Sequence, residues 1–380
     1  MDYKNYFKDK KITQIGLGLL GRGVGDAVFM AECGANLIVT DIKNEEELIS
    51  SVEKLKAFPN VTLHLGGHNL DDFKNRDFIL KGAGIALDSI YIEEAKKNKI
   101  PIEMDASLFV KLLPEGVTTV GITGTRGKST VTHLVYNILK IAGKNVFIGG
   151  NVRDTATLPL INIVKDGDYV VLELDSWQLQ GFGESKISPH VAVFTNIMED
   201  HINYYKNNPE QYFLDKTNIF KFQIEKDFLI VGDGLQNTES KSIQIKASSE
   251  NIPKDWRIKL LGAHNLENIA CAIEACRVLG ISDQDIKNGV ESFLGVEGRL
   301  QFVKEINGIK IYNDNNATTP DATIAAIYAL GEDSSLILIC GGADKNLDLS
   351  ELVEVINKYC KTVIMLPGSG TLKLAEQLNS

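Results

Sequence analysis

The sequence predicts an α/β protein of three domains: a Rossmann-like N-terminal domain, a P-loop-type central ATPase domain with a mostly parallel sheet, and a Rossmann-like C-terminal domain. Its 380 residues are too many for one ordinary hydrophobic core. Glycine-rich turns at 16–21 and 121–130 each join an apolar strand to a segment with helical spacing. Strand and helix patterns alternate beyond them, which is typical of parallel sheets. We place the domains at residues 1–112, 113–297 and 298–380.

Composition and charge favour a cytoplasmic protein that does not bind nucleic acid. The net charge of −10 provides no basic face for a phosphate backbone. The first eleven residues are charged, so we expect no secretory signal, and no apolar run approaches the length of a bilayer span. The five cysteines show no C-x-x-C spacing, which favours reduced thiols over a metal or redox site.

The first element is a strand over Lys11–Leu17 that runs into a G-x-G-x-x-G turn at residues 16–21. Helical spacing follows, and a second strand over Asn36–Thr40 ends at Asp41, which lies 20 residues after the last glycine of the turn. This is the dinucleotide-binding pattern, in which a diphosphate meets a helix N-terminus and an acidic residue binds a ribose. Alone it suggests a nicotinamide-dependent dehydrogenase, but it reports only a nucleotide-like ligand.

The central domain begins with a phosphate-binding loop. Residues 121–130 read Gly-Ile-Thr-Gly-Thr-Arg-Gly-Lys-Ser-Thr, between an apolar strand and a helical pattern. Glycines let backbone N–H groups approach phosphate oxygens, and the helix N-terminus favours their negative charge. We expect Lys128 to reach the β- and γ-phosphates and Ser129 to hold Mg²⁺. The general P-loop has a glycine where Ile122 stands, so the alternative is a tight turn beside a surface lysine.

Three further side chains are candidates for the chemistry. Glu173 ends a buried strand, and because ligands gather at the carboxyl ends of parallel strands, it is the best metal partner for Ser129; a capping carboxylate is the alternative. His201 follows another strand, but a lone histidine is usually structural. Lys216 lies 15 residues later in an apolar helical stretch, where the residues alone favour an ordinary solvated lysine.

The remaining elements continue the alternation. Hairpin-like segments are expected over 228–245, followed by an alanine-rich helix over Asn268–Val278. A hairpin with Gly308 in its turn opens the C-terminal domain, and two buried strands follow at Leu336–Cys340 and Val363–Leu366.

Several motifs taken together resemble the Mur ligase family, and they run in the family's order from about Val117 to the end of the chain. They are the phosphate loop, Gly149-Gly-Asn151, Glu173-Leu-Asp-Ser-Trp-Gln178, Asn196-Ile-Met-Glu-Asp-His201, Lys216, Gly262-Ala-His-Asn265, Gly298-Arg299 and Gly341-Gly342. The N-terminal domain resembles that of the family's D-glutamate-adding members, whereas members that form tripeptides and pentapeptides have a different one.

The resemblance implies ATP-dependent amide-bond formation in the cytoplasmic steps of peptidoglycan precursor synthesis. The implied substrates are UDP-N-acetylmuramoyl-L-alanine, D-glutamate and ATP, with two Mg²⁺ ions, and we expect a monomer without membrane insertion. In that reaction the substrate carboxylate attacks the γ-phosphate, and the amino acid amine then attacks the acyl phosphate. Such chemistry needs neutralised phosphoryl charge and in-line placement of the reactants.

The resemblance also implies roles for individual residues. Lys128 serves the β- and γ-phosphates, one Mg²⁺ lies on Ser129 and Glu173, and a second lies on His201. The lysine that matches Lys216 is carbamylated in this family, which converts a cation to a metal-binding carboxylate. The residues implied to contact ATP are Gly124, Thr125, Arg126, Gly127, Lys128, Ser129, Thr130, Asn265, Asn268, Arg299 and Asp314. Those implied to bind the nucleotide sugar or the amino acid are Gly18, Leu19, Leu20, Asp41, Asn151 and Lys345.

Two departures from the family pattern bear on the acceptor amino acid. D-Glutamate-adding members usually carry lysine where Asn316 stands, and Thr-Pro-Asp-Ala at 319–322 resembles members that add diaminopimelate or lysine. Few residues follow Leu366, so we expect a C-terminally truncated third domain that lacks a D-glutamate-binding segment. The alternatives are the family's UDP-N-acetylmuramate:L-alanine ligase, a non-catalytic nucleotide-binding short form, and the dehydrogenase. Folylpolyglutamate synthase is more remote, because its N-terminal architecture does not fit.

Overall fold

The computed structural model describes residues 2–19, 21–153, 155–198, 204–206, 208–232, 235, 239–331 and 335–378. The strands in these ranges form four sheets, and every inter-strand pairing except one hairpin is parallel. None of the helices in the same ranges is long and apolar enough to cross a bilayer. The α/β class with mostly parallel sheets is thus confirmed.

The N-terminal segment forms a doubly wound sheet. Its strands are β1 (Lys11–Ile15), β2 (Asn36–Asp41), β3 (Val61–Leu65), β4 (Phe78–Lys81) and β5 (Ile102–Glu103). Its helices are α1 (Tyr3–Phe7), α2 (Arg22–Glu32), α3 (Ile49–Leu55), α4 (Ile90–Lys97) and α5 (Asp105–Leu112). The strand order is β3-β2-β1-β4-β5, so the order reverses between β1 and β4. Ligands of such sheets bind outside the carboxyl ends of the strands at this reversal.

The central segment forms a six-stranded parallel sheet. Its strands are β6 (Thr118–Thr123), β7 (Val146–Gly150), β8 (Tyr169–Glu173), β9 (Val191–Phe194), β10 (Phe228–Val231) and β11 (Ile243–Lys246). Its helices are α6 (Lys128–Ile141), α7 (Ser176–Ser185), α8 (Pro209–Thr217), α9 (Ala263–Val278) and α10 (Asp283–Ser292). The order β11-β10-β9-β6-β8-β7 places β6, which leads into the phosphate loop, between β9 and β8. The carboxyl ends of these three strands therefore meet around the loop.

The hairpin expected over 228–245 is wrong. Strands β10 and β11 lie side by side but run in parallel, with Phe228 opposite Ile243 and Val231 opposite Lys246. The apolar runs located both strands, but a strand pattern carries no information on direction. Parallel neighbours need a crossover connection, whereas a hairpin needs only a short turn.

The C-terminal segment consists of a hairpin and a small α/β layer. The strands are β12 (Gln301–Ile306), β13 (Ile309–Asn313), β14 (Leu336–Cys340) and β15 (Cys360–Met365), and the helices are α11 (Pro320–Leu330), α12 (Ser350–Tyr359) and α13 (Ser369–Leu378). The predicted hairpin is confirmed as the antiparallel pair of β12 and β13. The expected burial of the last two strands is wrong, because Ile337 is 50% and Ile339 63% exposed. Only one face of this layer packs against helices in the described residues.

Candidate active site

Two glycines let the phosphate loop turn from β6 into α6. Gly124 has φ of +145° and Gly127 has φ of +84°. A Cβ on Gly124 would lie 1.9 Å from the Thr195 hydroxyl oxygen, and one on Gly127 would lie 2.0 Å from Oδ1 of Asn268. Both positions thus require glycine for conformation and for space. The backbone of the loop is held where it can approach a ligand closely.

Lys128, the first residue of α6, folds back over the loop. Its Nζ donates to the carbonyl oxygens of Gly124 at 2.9 Å and Thr125 at 3.1 Å. Burial lowers the pKa of the Lys128 amine, while the carboxylates of Glu173 and Asp175 oppose that change. A cation held over a glycine turn at a helix N-terminus is the arrangement that binds nucleotide phosphates.

Ser129 and Glu173 lie beside this lysine and form a hydroxyl–carboxylate pair. Glu173 ends β8 and stands opposite Ile122 of β6 in the parallel register. Glu173 is 4% and Ser129 7% exposed. Burial raises the pKa of the Glu173 carboxyl, and nearby Lys128 together with a hydrogen bond from Ser129 opposes the rise. A serine hydroxyl and a buried carboxylate are oxygen ligands that suit Mg²⁺, so the residues present fit that ion.

The end of strand β9 braces the loop. The Arg126 N–H donates to Oδ1 of Asn196 at 2.8 Å, and the Thr125 N–H donates to the Asn196 carbonyl at 3.0 Å. The Thr195 hydroxyl donates to the Arg126 carbonyl at 2.5 Å. No sequence motif assigns Thr195 to the site. Its position at the carboxyl end of a strand next to β6 is the signal that could have found it.

Lys216 is buried against the loop and is not a solvated lysine. Lys216 lies on α8 and is only 1% exposed. Nζ donates to the Gly124 carbonyl at 2.8 Å and lies 4.8 Å from the centroid of the Tyr212 ring. The interpretation that the residues alone favoured is therefore wrong, because the face of α8 that carries Tyr212, Asp215 and Lys216 is the buried one. His201, the expected second metal ligand, lies outside the described residues, as does Leu20.

Residues of the C-terminal segment reach the same loop. The Arg299 guanidinium donates to the Ser129 hydroxyl at 2.9 Å. Asp314 accepts a hydrogen bond from the Leu300 N–H at 2.8 Å, and burial raises the pKa of its carboxyl. Lys345 lies farther out and donates to the Thr318 hydroxyl at 3.3 Å.

The two asparagines at the start of α9 complete this side. Asn265 and Asn268 are 7% and 6% exposed, and the Asn268 amide donates to Oδ1 of Asn265 at 3.2 Å. The structure thus brings the predicted ATP contacts at 124–130, 265, 268 and 299 together around one turn, with Asp314 close to Arg299 in the next segment.

A cavity of about 370 Å³ lies at the switch point of the N-terminal sheet. Asp41 is part of its wall, and one carboxylate oxygen accepts hydrogen bonds from the N–H groups of Leu17 at 2.8 Å and Gly18 at 3.1 Å. The other oxygen accepts from the Lys43 N–H at 2.9 Å. Leu19, at the tip of the glycine turn, is 64% exposed. The carboxylate therefore fixes the glycine turn at the cavity.

Lys81 also lines this cavity, although no sequence motif includes it. It is 1% exposed, and Nζ donates to the carbonyl of Ile85 at 2.7 Å and, at longer range, to those of Gly82 and Ala83. Burial lowers its pKa to about 8, with Asp175 and Asp105 opposing. The only sequence signal was its place at the end of a buried strand.

A short chain of hydrogen bonds connects the cavity to the end of strand β8, beside the phosphate loop. Arg22, which lines the cavity, donates to Oδ1 of Asn151 at 2.6 Å, and the Asn151 N–H donates to the Glu173 carbonyl at 2.7 Å. Asn151 therefore lies between the cavity and the residue whose carboxylate is near Lys128.

Comparison with known proteins agrees with this geometry. Residues 122–250 match the Mur ligase middle domain, and residues 298–379 match the glutamate ligase domain of Mur ligases. UDP-N-acetylmuramoylalanine–D-glutamate ligase of Roseiflexus sp. (strain RS-1) is 32% identical, over 97% of this chain and 85% of that protein. The enzyme of the same name from Clostridium kluyveri is 33% identical, over 99% of this chain and 84% of that protein.

Solved structures share the fold. UDP-N-acetylmuramate-alanine ligase of Thermotoga maritima superposes with a TM-score of 0.62 at 18% identity, covering 97% of this chain and 88% of that one. The MurF ligase of the same organism, in complex with ADP, gives a TM-score of 0.57 at 19% identity, covering 99% and 89% of the two chains.

Proposed function

The chain belongs to the Mur ligase family, and from that premise we propose how its residues carry out the reaction. It is an ATP-dependent ligase that adds D-glutamate to UDP-N-acetylmuramoyl-L-alanine in peptidoglycan precursor synthesis. The dehydrogenase suggested by the glycine pattern alone is set aside, because it leaves the loop around Lys128 unexplained. We place the reaction in the cytoplasm and expect the enzyme to act as a monomer.

The reaction has two steps. A carboxylate oxygen of the alanyl group attacks the γ-phosphorus of ATP, the bond to the β–γ bridging oxygen breaks, and ADP leaves. The amine of D-glutamate then attacks the carbonyl carbon of the acyl phosphate, loses a proton, and expels inorganic phosphate. Lys128, at the start of α6, is placed to neutralise charge on the β- and γ-phosphates during the first step.

Mg²⁺ would be held by Ser129 and Glu173, where it supplies charge neutralisation for the phosphoryl oxygens. The raised pKa of the buried Glu173 carboxyl fits a group that gains a cationic partner when the site fills. Lys216 is proposed as the carbamylated residue near the second ion, because it is buried within hydrogen-bond distance of the loop. His201 is proposed as its other ligand.

We assign the three substrates to three segments. The cavity in residues 1–112 receives the uridine end of the nucleotide sugar, with Gly18, Leu19 and Asp41 at its wall. Residues 113–297 bind ATP, with Asn265 and Asn268 on the adenine side. Residues 298–380 bring Arg299 to the phosphates, Asp314 to the ribose and Lys345 to the amino acid.

One observation carries the proposal: the hydrogen bonds from Arg22 through Asn151 to the Glu173 carbonyl link the proposed nucleotide-sugar cavity to the end of β8, beside the phosphate loop. The test is phosphate release from ATP with each UDP-muramoyl precursor paired with each candidate amino acid. Release only with UDP-N-acetylmuramoyl-L-alanine and D-glutamate is expected. Release with UDP-N-acetylmuramate and L-alanine would assign the chain to the alanine-adding branch, and no release with any pair would favour a non-catalytic binding protein.

A further inference from the structure

The side chain of the arginine within the phosphate loop reaches the C-terminal segment, while its Nη1 also lies 3.5 Å from the carbonyl oxygen of Thr125 in the loop. Nε of Arg126 donates to Oδ2 of Asp321 at 3.0 Å, and Nη2 donates to the Thr319 hydroxyl at 2.6 Å. The contact joins residues 195 positions apart in the chain. It connects two sequence features, the arginine inside the phosphate loop and the Thr-Pro-Asp-Ala run that begins α11.

Both ends of this contact are held in place. The Arg126 backbone is held by Asn196 and Thr195, as described above, so the starting point of its side chain is fixed. Thr319 is the N-cap residue of α11 and is 7% exposed, and Asp321 lies in the first turn of that helix. The Arg126 and Asp321 side chains are only 27% and 40% exposed. A charge-assisted pair between two anchored and partly buried groups costs less side-chain ordering than a surface pair.

The contact continues toward the proposed acceptor site. Thr318, next to Thr319, accepts a hydrogen bond from Nζ of Lys345 at 3.3 Å. The segment 318–321 therefore touches the phosphate loop on one side and Lys345 on the other.

We propose that Arg126 is a positioning residue, which through Asp321 and Thr319 sets the distance between the phosphate loop and the residues that hold the incoming amino acid. The inference rests on the proposed function, since it assumes that the two reactants are an acyl phosphate formed at the loop and an amine held beside Lys345. Attack by the amine requires it to be held close to the carbonyl carbon of the acyl phosphate in the correct orientation. Loss of the contact therefore lowers the rate of the second step.

The kinetic test compares Asp321→Asn, Arg126→Gln and the double variant in the full chain. Asp321→Asn is expected to lower kcat/KM for D-glutamate about tenfold and to leave the KM for the nucleotide sugar unchanged, because the sugar site lies in the N-terminal segment. The double variant is expected to be no worse than Arg126→Gln alone, and Asp321→Glu is expected to restore most of the loss. Arg277→Gln, which breaks the ion pairs of Arg277 with Asp283 and Glu274 in the central segment, is the matched control and should behave as wild type.

A second measurement does not depend on activity. Amide hydrogen exchange at the start of α11 should be faster in Asp321→Asn and in Arg126→Gln than in wild type or Arg277→Gln. If the wild-type chain ligates no substrate pair, the proposed function fails, while the exchange still reports on the contact. Unchanged exchange, or effects of the two substitutions that simply multiply in the double variant, would overturn the inference.

Discussion

The guanidinium of Arg299 donates a hydrogen bond to the hydroxyl of Ser129 at 2.9 Å, across 170 residues of sequence. Ser129 is the residue proposed to hold Mg²⁺, and a guanidinium and a metal ion carry charge of the same sign. They repel each other and compete for the same hydroxyl oxygen. Binding of Mg²⁺ with ATP is therefore expected to move Arg299 from Ser129 toward the phosphates.

Arg299→Gln should weaken ATP binding because it removes a cation from the phosphates. A charge-assisted hydrogen bond contributes about 1.5–3 kcal/mol, so the Kd for ATP should rise about tenfold or more. Isothermal titration with a non-hydrolysable ATP analogue and Mg²⁺ measures it, with Arg299→Lys as the variant that keeps the charge. An unchanged Kd in Arg299→Gln would mean that the arginine serves only to hold Ser129.

Lys128→Met should abolish most turnover while the protein stays folded. Its amine is the cation that the loop holds over Gly124 and Thr125, and removing it leaves charge on the transferring phosphoryl group uncompensated. A loss of about 100- to 1,000-fold in kcat is expected. Phosphate release measures the loss, and Lys140→Met, at the exposed end of the same helix, is the control. Near-normal release by a folded Lys128→Met protein would refute the assignment.

The local parts of the site could be predicted from the sequence, and the parts that depend on distant residues could not. A strand, a glycine turn and the start of a helix each depend on consecutive residues. The loop around Lys128 and the glycine turn at 16–21 were therefore located correctly. The residues alone favour a solvated Lys216, because helical spacing does not show which neighbour covers a helix, and only the family resemblance indicates a role in the site. The parallel direction of β10 and β11 depends on a crossover rather than on the strands themselves. The contact of Arg126 with Asp321 spans separate segments, and no periodicity reports it.

Lys216 is expected to carry a carbamate in the active enzyme. The unmodified amine donates a hydrogen bond to the Gly124 carbonyl at 2.8 Å, whereas a carbamate oxygen can only accept one. The modification should therefore turn the end of the side chain away from this carbonyl and toward a metal ion. Intact mass measured under carbon dioxide should show the added group. Lys216→Ala should be inactive and partly rescued by short carboxylic acids, while Lys221→Ala, an exposed lysine nearby, should be active. An unmodified amine in the active complex would contradict this.

Asp41→Ala should weaken binding of the nucleotide sugar and leave ATP binding unchanged. The Asp41 carboxylate accepts three hydrogen bonds, from the backbone N–H groups of Leu17, Gly18 and Lys43. Its loss removes the contacts that hold the glycine turn and leaves these donors unpaired. A stability loss of about 1–3 kcal/mol is expected as well. Calorimetric titration with each nucleotide separates the two sites, and Asp41→Asn, which keeps an acceptor oxygen, should lose less. Tight binding of NAD by the wild-type chain would instead revive the dehydrogenase.

Lys81 gives the N-terminal segment a stability that depends on pH. Burial lowers the pKa of its amine from 10.5 to about 8 in the folded protein. Below about pH 8 both folded and unfolded chains carry the proton, so the full cost of burying the cation is present. Between about 8 and 10.5 the folded chain releases the proton while the unfolded chain keeps it, and stability therefore rises with pH. At about 1.4 kcal/mol for each pH unit, the gain reaches about 3 kcal/mol.

Lys81→Met removes this titration, so the difference in melting temperature between wild type and the variant should move in favour of wild type as the pH is raised from about 8 toward 10.5. Below pH 8 the difference should be constant, because both folded and unfolded wild-type chains are then charged at Lys81. Lys97→Met, which replaces an exposed lysine of α4, is the control and should show no such trend. Thermal unfolding measured at matched ionic strength gives the result. A difference between wild type and Lys81→Met that stays constant up to pH 10.5 would mean that the buried amine keeps its proton, held by the carbonyls of Gly82, Ala83 and Ile85.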